Sequence, residues 1–276
     1  MMTAMPDNSE TFTHQKRLWE EGNWEALIPL TRDAVAAARR VQDQMKEADG
    51  LLELTLLLVF TGRCQAAAEV ARQELKVRRQ LGDPSWTAAA LSSLGMALEE
   101  AGMVKPALLR YRQALFAFRQ LGETIEVCNQ LATIGHLLHV QGHCKGALKA
   151  FEEALPLASD VQHFWDRATI LNALADTHKA LRNLPAASRC LFESAQELHR
   201  LGKESTEVLF GIARLHLGMD QTWEAQELIR IGTDQLRDSG RLDEAKAVEE
   251  RFGVPALGRA TKRFRLATPV LKAHRC

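Results

Sequence analysis

The chain has 276 residues, of which 46% are hydrophobic and 25% charged, and its formal net charge at pH 7 is zero. These values are ordinary for a water-soluble globular chain, and they exclude collagen-like and low-complexity proteins. The longest apolar stretch, Leu51–Phe60, is too short to span a bilayer and is interrupted by Glu53. Charge is unevenly spread, because residues 251–276 carry seven basic and no acidic side chains, which leaves residues 1–250 net acidic.

Residues 1–9 are predicted to be disordered, and helical periodicity begins after them. Apolar residues recur at spacings of three and four, with short breaks at Gly or Asn, and no segment alternates like a strand. The pattern predicts paired helices, followed by a short capping helix and a basic, flexible tail. The predicted hairpins cover residues 10–41, 45–81, 85–121, 123–160, 164–201 and 204–239, the cap covers 242–252, and the tail covers 253–276.

The clearest internal repeat lies between Leu91 and Asp160, where two copies of one pattern stand forty residues apart. Each copy has a small residue, then a linking Gly, an Ala, an aromatic residue and a second Ala. The two copies are Gly95/Gly102/Ala107/Tyr111/Ala114 and Gly135/Gly142/Ala147/Phe151/Ala154. Copies that begin at Ala175 and Ala213 lack the linking Gly, and a looser copy that begins at Thr55 has Glu74 where Ala is expected. Such periodicity is the sequence signature of a stacked repeat protein.

This pattern resembles the tetratricopeptide repeat in its long form of about forty residues, as in the Leu-Gly-Asn G-protein-signalling modulators and the kinesin light chains. The resemblance covers roughly residues 10–250. It implies an all-α, right-handed superhelical solenoid of about six helical hairpins with a short C-terminal capping helix. It also implies a non-enzymatic adaptor or scaffold that holds a peptide or helix in a concave groove.

In that family the first helix of each pair lines the groove. The groove-facing positions are expected three residues before, one after and four after the small residue of each repeat. For the repeats that begin at Gly95, Gly135, Ala175 and Ala213 they are Ser92, Met96, Glu99, Ala132, His136, His139, Asn172, Asp176, Lys179, Phe210, Arg214 and Leu217. From these and the neighbouring Asn129, the candidate site residues are Asn129, His136, His139, Asn172, Asp176, Lys179, Phe210 and Arg214. Asn172 is expected to bind peptide backbone, and Asp176, Lys179 and Arg214 to supply charge. A solvated face without a ligand is the alternative interpretation.

No motif predicts catalysis or a cofactor. The sequence lacks the nucleophile elbow, the phosphate loop and the dinucleotide fingerprint. His136, His139, His143 and Cys144 are close in sequence, but Gly142 interrupts their helix and no HExxH motif is present, so we expect no metal site. The five cysteines are widely separated and favour reduced thiols. Asp7 and Glu10 argue against a transit peptide, so we expect a soluble, cytoplasmic protein.

Two further roles stay open at this point. The chain could be an assembly subunit that packs through the ends or the outer face of the solenoid, with the apolar side of Leu51–Phe60 as the interface. The basic tail could contact an acidic partner or fold back as an autoinhibitory segment, whereas nucleic acid is not the favoured ligand. The pattern leaves the oligomeric state open.

Overall fold

The computed structural model describes residues 16–158, 167–201 and 205–252, and all regular structure in those ranges is helical. The predicted disordered N terminus over 1–9 and the predicted tail over 253–276 lie outside the described residues. The helices are α1 (16–20), α2 (Trp24–Arg40), α3 (Gln44–Phe60), α4 (Cys64–Leu81), α5 (Pro84–Glu100), α6 (Val104–Leu121), α7 (Thr124–Val140), α8 (Cys144–Ala154), α9 (Arg167–Ala180), α10 (Leu184–Arg200), α11 (Thr206–Leu217), α12 (Thr222–Asp238) and α13 (Leu242–Phe252). A short 3₁₀ turn, Leu155–Leu157, follows α8.

The helices form two compact units, Met1–Leu137 and Leu138–Cys276, and the boundary falls within α7. In the first unit each of the helices α2 to α6 packs against its chain neighbours, and α3 also packs against α5. In the second unit α8 to α13 pack in the same sequential way. The expectation of an all-α chain of paired helices with a short last helix is confirmed.

Left-handed backbone recurs about every twenty residues, at the turns between helices. It occurs at Gly22, Gln42, Gly62, Gly82, Gly102, Gly122, Gly142, Arg182, Asp220 and Gly240. After Gly62, the Arg63 N–H donates to the Leu58 carbonyl at 2.7 Å, a bond that closes a helix C-terminus. Asn183 N–H and Gln221 N–H make the same bond to His178 and His216, both at 2.9 Å. The two repeats that lack the linking Gly therefore keep its turn, at the steric cost of a side chain in left-handed backbone.

Close packing of the two helices in a hairpin explains the small residue of the repeat. A Cβ added to Gly95 would lie 2.8 Å from Cε1 of Tyr111, well inside van der Waals contact. Tyr111 is buried, and its hydroxyl donates a hydrogen bond to Glu99 Oε2 at 2.8 Å. Gly95 thus leaves room for the ring that joins α5 to α6.

The apolar stretch Leu51–Phe60 lies mostly in the core of the first unit. Its Leu51, Leu54, Leu57 and Leu58 side chains are buried. Phe60 is 53% exposed, and its ring centroid lies 5.3 Å from that of Trp24. The surface that this stretch could offer to a second subunit is therefore small. Among the described helices, none combines the length and the apolar character that a membrane crossing requires.

Candidate functional site

In the first unit, a cleft of about 330 Å³ lies on the side built from α3, α5 and the start of α7. We call this side of the first unit, formed by α3, α5 and the start of α7, the odd-helix face. The lining residues of this odd-helix cleft are Leu52, Ser85, Trp86, Ala89, Ser92, Ser93, Met96, Phe118, Glu123 and Glu126. The cleft therefore combines apolar side chains with two carboxylates, a mixture typical of a peptide or small-molecule site.

Trp86 is the large anchor of the odd-helix cleft. Its side chain is 46% exposed, and the guanidinium carbon of Arg78 lies 4.6 Å from the centroid of its ring. Arg78 is itself 1% exposed and pairs with Asp49 at 2.6 Å, so the cation over the ring is held in place. A cation on one face of an indole stabilises its orientation. The exposed part of Trp86 lines the cleft, where it can contact an apolar ligand group.

Glu74 lies behind the odd-helix cleft, and the charge of its carboxyl group depends on pH. Its side chain is buried, and Oε2 accepts a hydrogen bond from the Ser93 hydroxyl at 3.1 Å. Burial raises the pKa of Glu74 to about 7, although the Ser93 hydrogen bond and the Arg78 charge act in the opposite direction. The carboxyl group that replaces the expected Ala of the repeat is therefore half protonated near neutral pH.

The predicted positions in the first unit are only partly accessible. His136, one residue after the small Gly135, is exposed, and Asn129 is half-buried on the same helix. Ala132, three residues before Gly135, is completely buried. In this repeat the position three residues before the small residue therefore faces the core, whereas the position one residue after it faces outward.

In the second unit, the structure places three predicted residues along α9. Asp176 and Lys179 are exposed and form an ion pair at 2.5 Å. Asn172, one turn before Asp176, is half-buried, and its Oδ1 is buried without a hydrogen-bond partner. A buried carbonyl oxygen without a donor is costly, and a ligand N–H would satisfy it. Asn172 therefore has the unmet acceptor that binding to a peptide backbone requires.

His139 and Arg214 occupy different environments on the same face. His139 Nδ1 lies 3.1 Å from the hydroxyl of Thr177, a hydrogen bond that joins the end of α7 to α9. Arg214 is exposed on α11, and in the described ranges it forms no ion pair. His139 is thus held in place by the fold, whereas Arg214 is available to a ligand.

Phe210 is the predicted site residue that the structure places in the core. It is 7% exposed, and its ring centroid lies 6.3 Å from that of Phe252. Gly232 explains this position, because a Cβ there would lie 2.5 Å from Cε1 of Phe210. Gly232 stands where the repeat has Ala. This smaller residue was the signal in the sequence that an aromatic ring, that of Phe210, packs against position 232. Phe210 therefore does not line the odd-helix face.

In the part of the chain that the structure describes, no group of three or more His, Cys, Asp or Glu side chains lies close enough to hold a metal ion. Cys64, Cys128, Cys144 and Cys190 form no disulfide. Burial raises the pKa of Cys190 to about 11 and also raises that of Cys128, so neither thiol is an activated nucleophile at neutral pH.

Solved structures share this architecture over most of the chain. BtubC (BKLC) from P. vanneervenii is 16% identical, with a TM-score of 0.66 over 88% of this chain and 98% of that protein. A kinesin-light-chain-like protein of Podosopora anserina with nearly identical TPR-like repeats is also 16% identical, with a TM-score of 0.57 over 75% of this chain and 97% of its own. The fold is that of tetratricopeptide repeats.

The quorum sensor NprR from B. thuringiensis shares this TPR-like fold at 15% identity and a TM-score of 0.60, over 90% of this chain and 71% of NprR. No protein-family model and no curated protein matched the sequence. At these identities the TPR likeness concerns the fold, so function must be argued from the residues of this chain.

Proposed function

We propose that this TPR chain is a non-enzymatic adaptor that binds a peptide or helix of another protein on its odd-helix face. The observation that carries the proposal is the odd-helix cleft, with the exposed ring of Trp86, the half-buried Met96 and the carboxylates of Glu123 and Glu126. Its composition suits a segment with an apolar anchor and basic neighbours.

The second unit offers polar groups of its own that suit a peptide ligand. Asn172 offers a buried acceptor without a donor, and Asp176, Lys179 and Arg214 offer charges in accessible positions. A peptide backbone would donate to Asn172, as the sequence predicts. The sensor-type and light-chain-type neighbours with this TPR-like fold agree with a protein-binding role.

Quantitative affinity capture from cells, followed by mass spectrometry, tests the proposal. The bait variant Asn172→Ala/Asp176→Ala/Lys179→Ala removes an amide, an acid and a base from α9. A matched control, Gln196→Ala/Glu193→Ala/Arg189→Ala, removes the same three groups from exposed positions on α10. Circular dichroism establishes that both variants fold.

We expect at least one partner to fall roughly tenfold with the α9 variant and to be retained with the α10 variant, as for a desolvated polar contact. Equal retention of every partner by both variants would contradict a ligand site at Asn172, Asp176 and Lys179. Equal loss with both would indicate that the outer face or general stability decides binding.

The predicted basic tail is a candidate occupant of the odd-helix cleft, because its six basic residues complement Glu123 and Glu126. A chain that ends at Gly253 tests this autoinhibitory contact. If the tail occupies the cleft, the shortened chain should capture more of the partner than the full chain does. Unchanged or lower capture would contradict autoinhibition while leaving the adaptor function intact.

A further inference from the structure

A second cleft in the first unit lies between the even-numbered helices α4 and α6. Its volume is about 450 Å³, which is larger than that of the odd-helix cleft. Four cationic side chains line it, namely Arg72, Lys76, Arg79 and Arg110, and Leu75 and Leu94 form an apolar floor. We call this recess the basic cleft.

The positive charge of the basic cleft follows from the helical register. Arg72, Lys76 and Arg79 are four and three residues apart, so they share one face of α4. Arg110 comes from α6, a helix that has four basic and no acidic side chains over residues 104–121. No Asp or Glu lines the cleft. This concentration of one sign is notable because residues 1–250 are net acidic.

Much of this charge has no counter-charge within the described part of the chain. Arg72 pairs with the exposed Glu69 at 2.5 Å, whereas Lys76 and Arg79 form neither an ion pair nor a side-chain hydrogen bond. Arg110 donates from Nη1 to Gln113 Oε1 at 2.8 Å, but its Nε is buried and lacks an acceptor. A recess lined by one sign of charge focuses the field on a ligand of opposite sign.

We propose that the basic cleft is a docking site for an acidic peptide segment of a partner protein. The carboxylates of such a segment would meet Lys76, Arg79 and the guanidinium group of Arg110, and an apolar side chain would cover Leu75 and Leu94. A recess of about 450 Å³ with an aliphatic floor suits a single peptide segment better than a flat bilayer surface. Because the two clefts share no lining residue, this docking is independent of the proposed adaptor site.

Fluorescence anisotropy with the purified full-length chain tests the proposal. The probe is a fluorescein-labelled peptide of glutamates interrupted by two leucines, and the control probe has every glutamate replaced by glutamine. We expect the acidic probe to bind, the amide probe not to bind, and the affinity to fall between about 50 mM and about 300 mM salt, since exposed charges are screened.

Charge-reversal variants locate the site. Lys76→Glu/Arg79→Glu changes the cleft, and Lys105→Glu/Arg112→Glu makes the same change of net charge at exposed positions of α6 outside it. We expect the cleft variant to weaken binding roughly tenfold or more and the control to change it less than about threefold. Lys76→Gln/Arg79→Gln, which avoids new repulsion, should weaken binding in the same direction if the reversed variant fails to fold.

Three outcomes would overturn the proposal. The first is the absence of binding by the acidic probe, and the second is equal weakening by the cleft and control variants. The third is cleft-dependent binding of a single-stranded oligonucleotide or of anionic vesicles that is tighter than binding of the acidic peptide. The Asn172→Ala/Asp176→Ala/Lys179→Ala variant should bind the acidic probe unchanged, which separates this result from the test of the odd-helix face.

Discussion

Replacing Glu74 with Gln should remove most of one pH-dependent contribution to stability. Glu74 is 2% exposed, and burial raises its pKa from 4.5 to about 7. Gln preserves the size of the side chain and the acceptor for the Ser93 hydroxyl, so the variant changes mainly the ability to ionise. Because the substituted position normally carries Ala in this repeat, the carboxyl group is not needed for the hairpin to form.

The sign follows from the raised pKa in the folded state. Below pH 4.5 the carboxyl group is protonated in both states, and its contribution to stability is fully present. As pH rises toward 7 the unfolded chain loses the proton first, so the free energy of unfolding falls by about 3 kcal/mol in total. The Glu74→Gln chain should not share this fall, and its advantage over the wild type should grow by about 3 kcal/mol between pH 4.5 and pH 8.

Urea unfolding followed by circular dichroism, measured at intervals from pH 4.5 to pH 8, gives this difference directly. Any constant effect of the amide cancels, because only the change of the difference with pH matters. Glu69→Gln, at an exposed position on the same helix, is the control and should alter stability by less than about 0.5 kcal/mol. A difference between Glu74→Gln and wild type that stays flat over this range would refute the buried-carboxyl argument.

Three further sets of substitutions test the packing of the hairpins by the same urea assay. Gly95→Leu should lower the free energy of unfolding by about 1–3 kcal/mol, because its Cβ would lie 2.8 Å from Tyr111. Gly211→Ala should raise the free energy of unfolding by about 0.5–1 kcal/mol, because its Cβ would lie at an ordinary contact distance of 3.5 Å from Leu191. Equal changes in stability for the Gly95 and Gly211 variants would refute the argument that Tyr111 leaves no room for a side chain at position 95. Arg182→Gly and Asp220→Gly should each raise the free energy of unfolding by about 1 kcal/mol, since both residues lie in left-handed backbone, with φ of 57° and 58°. A loss of stability would show that these side chains stabilise their turns. Tyr111→Phe should cost about 1–2 kcal/mol by removing the hydrogen bond to Glu99, and an unchanged midpoint would show that water replaces it.

The fold was predictable because each repeat position has a local steric reason. Gly95 lies against Tyr111, and Gly102 occupies left-handed backbone at the turn that follows. The turns at Arg182 and Asp220 were harder to predict, since Arg rarely adopts this conformation and Asp adopts it less readily than Gly. Their geometry is held by the carbonyls of His178 and His216, which accept bonds across the turn.

The candidate sites were less predictable, because they depend on how neighbouring hairpins meet. Counting positions from the small residue identified the accessible His136, Asp176 and Arg214 but wrongly included Phe210. The same rule gave Ser92 and Met96, which line the odd-helix cleft, but not the residues that adjacent hairpins add to that cleft.

The basic cleft illustrates the same point. Arg79 and Arg110 stand thirty-one residues apart in sequence and line one recess only because neighbouring hairpins bring α4 and α6 to the two sides of it. The excess of basic residues in α6 was visible in the sequence, but the recess that gathers them was not. Glu74 was recognisable as a departure from the repeat, and its hydrogen bond to Ser93 explains how the fold accepts it.

Site-specific photo-crosslinking in cells tests the odd-helix face most directly. A photoreactive phenylalanine analogue replaces Met96 in the odd-helix cleft or, as a control, Val41, which is 73% exposed in the turn after α2. We predict that position 96 forms a covalent adduct with another protein and that position 41 does not. Adducts at position 41 alone, above all with a second copy of this chain, would contradict the adaptor proposal and favour assembly through the N-terminal hairpins.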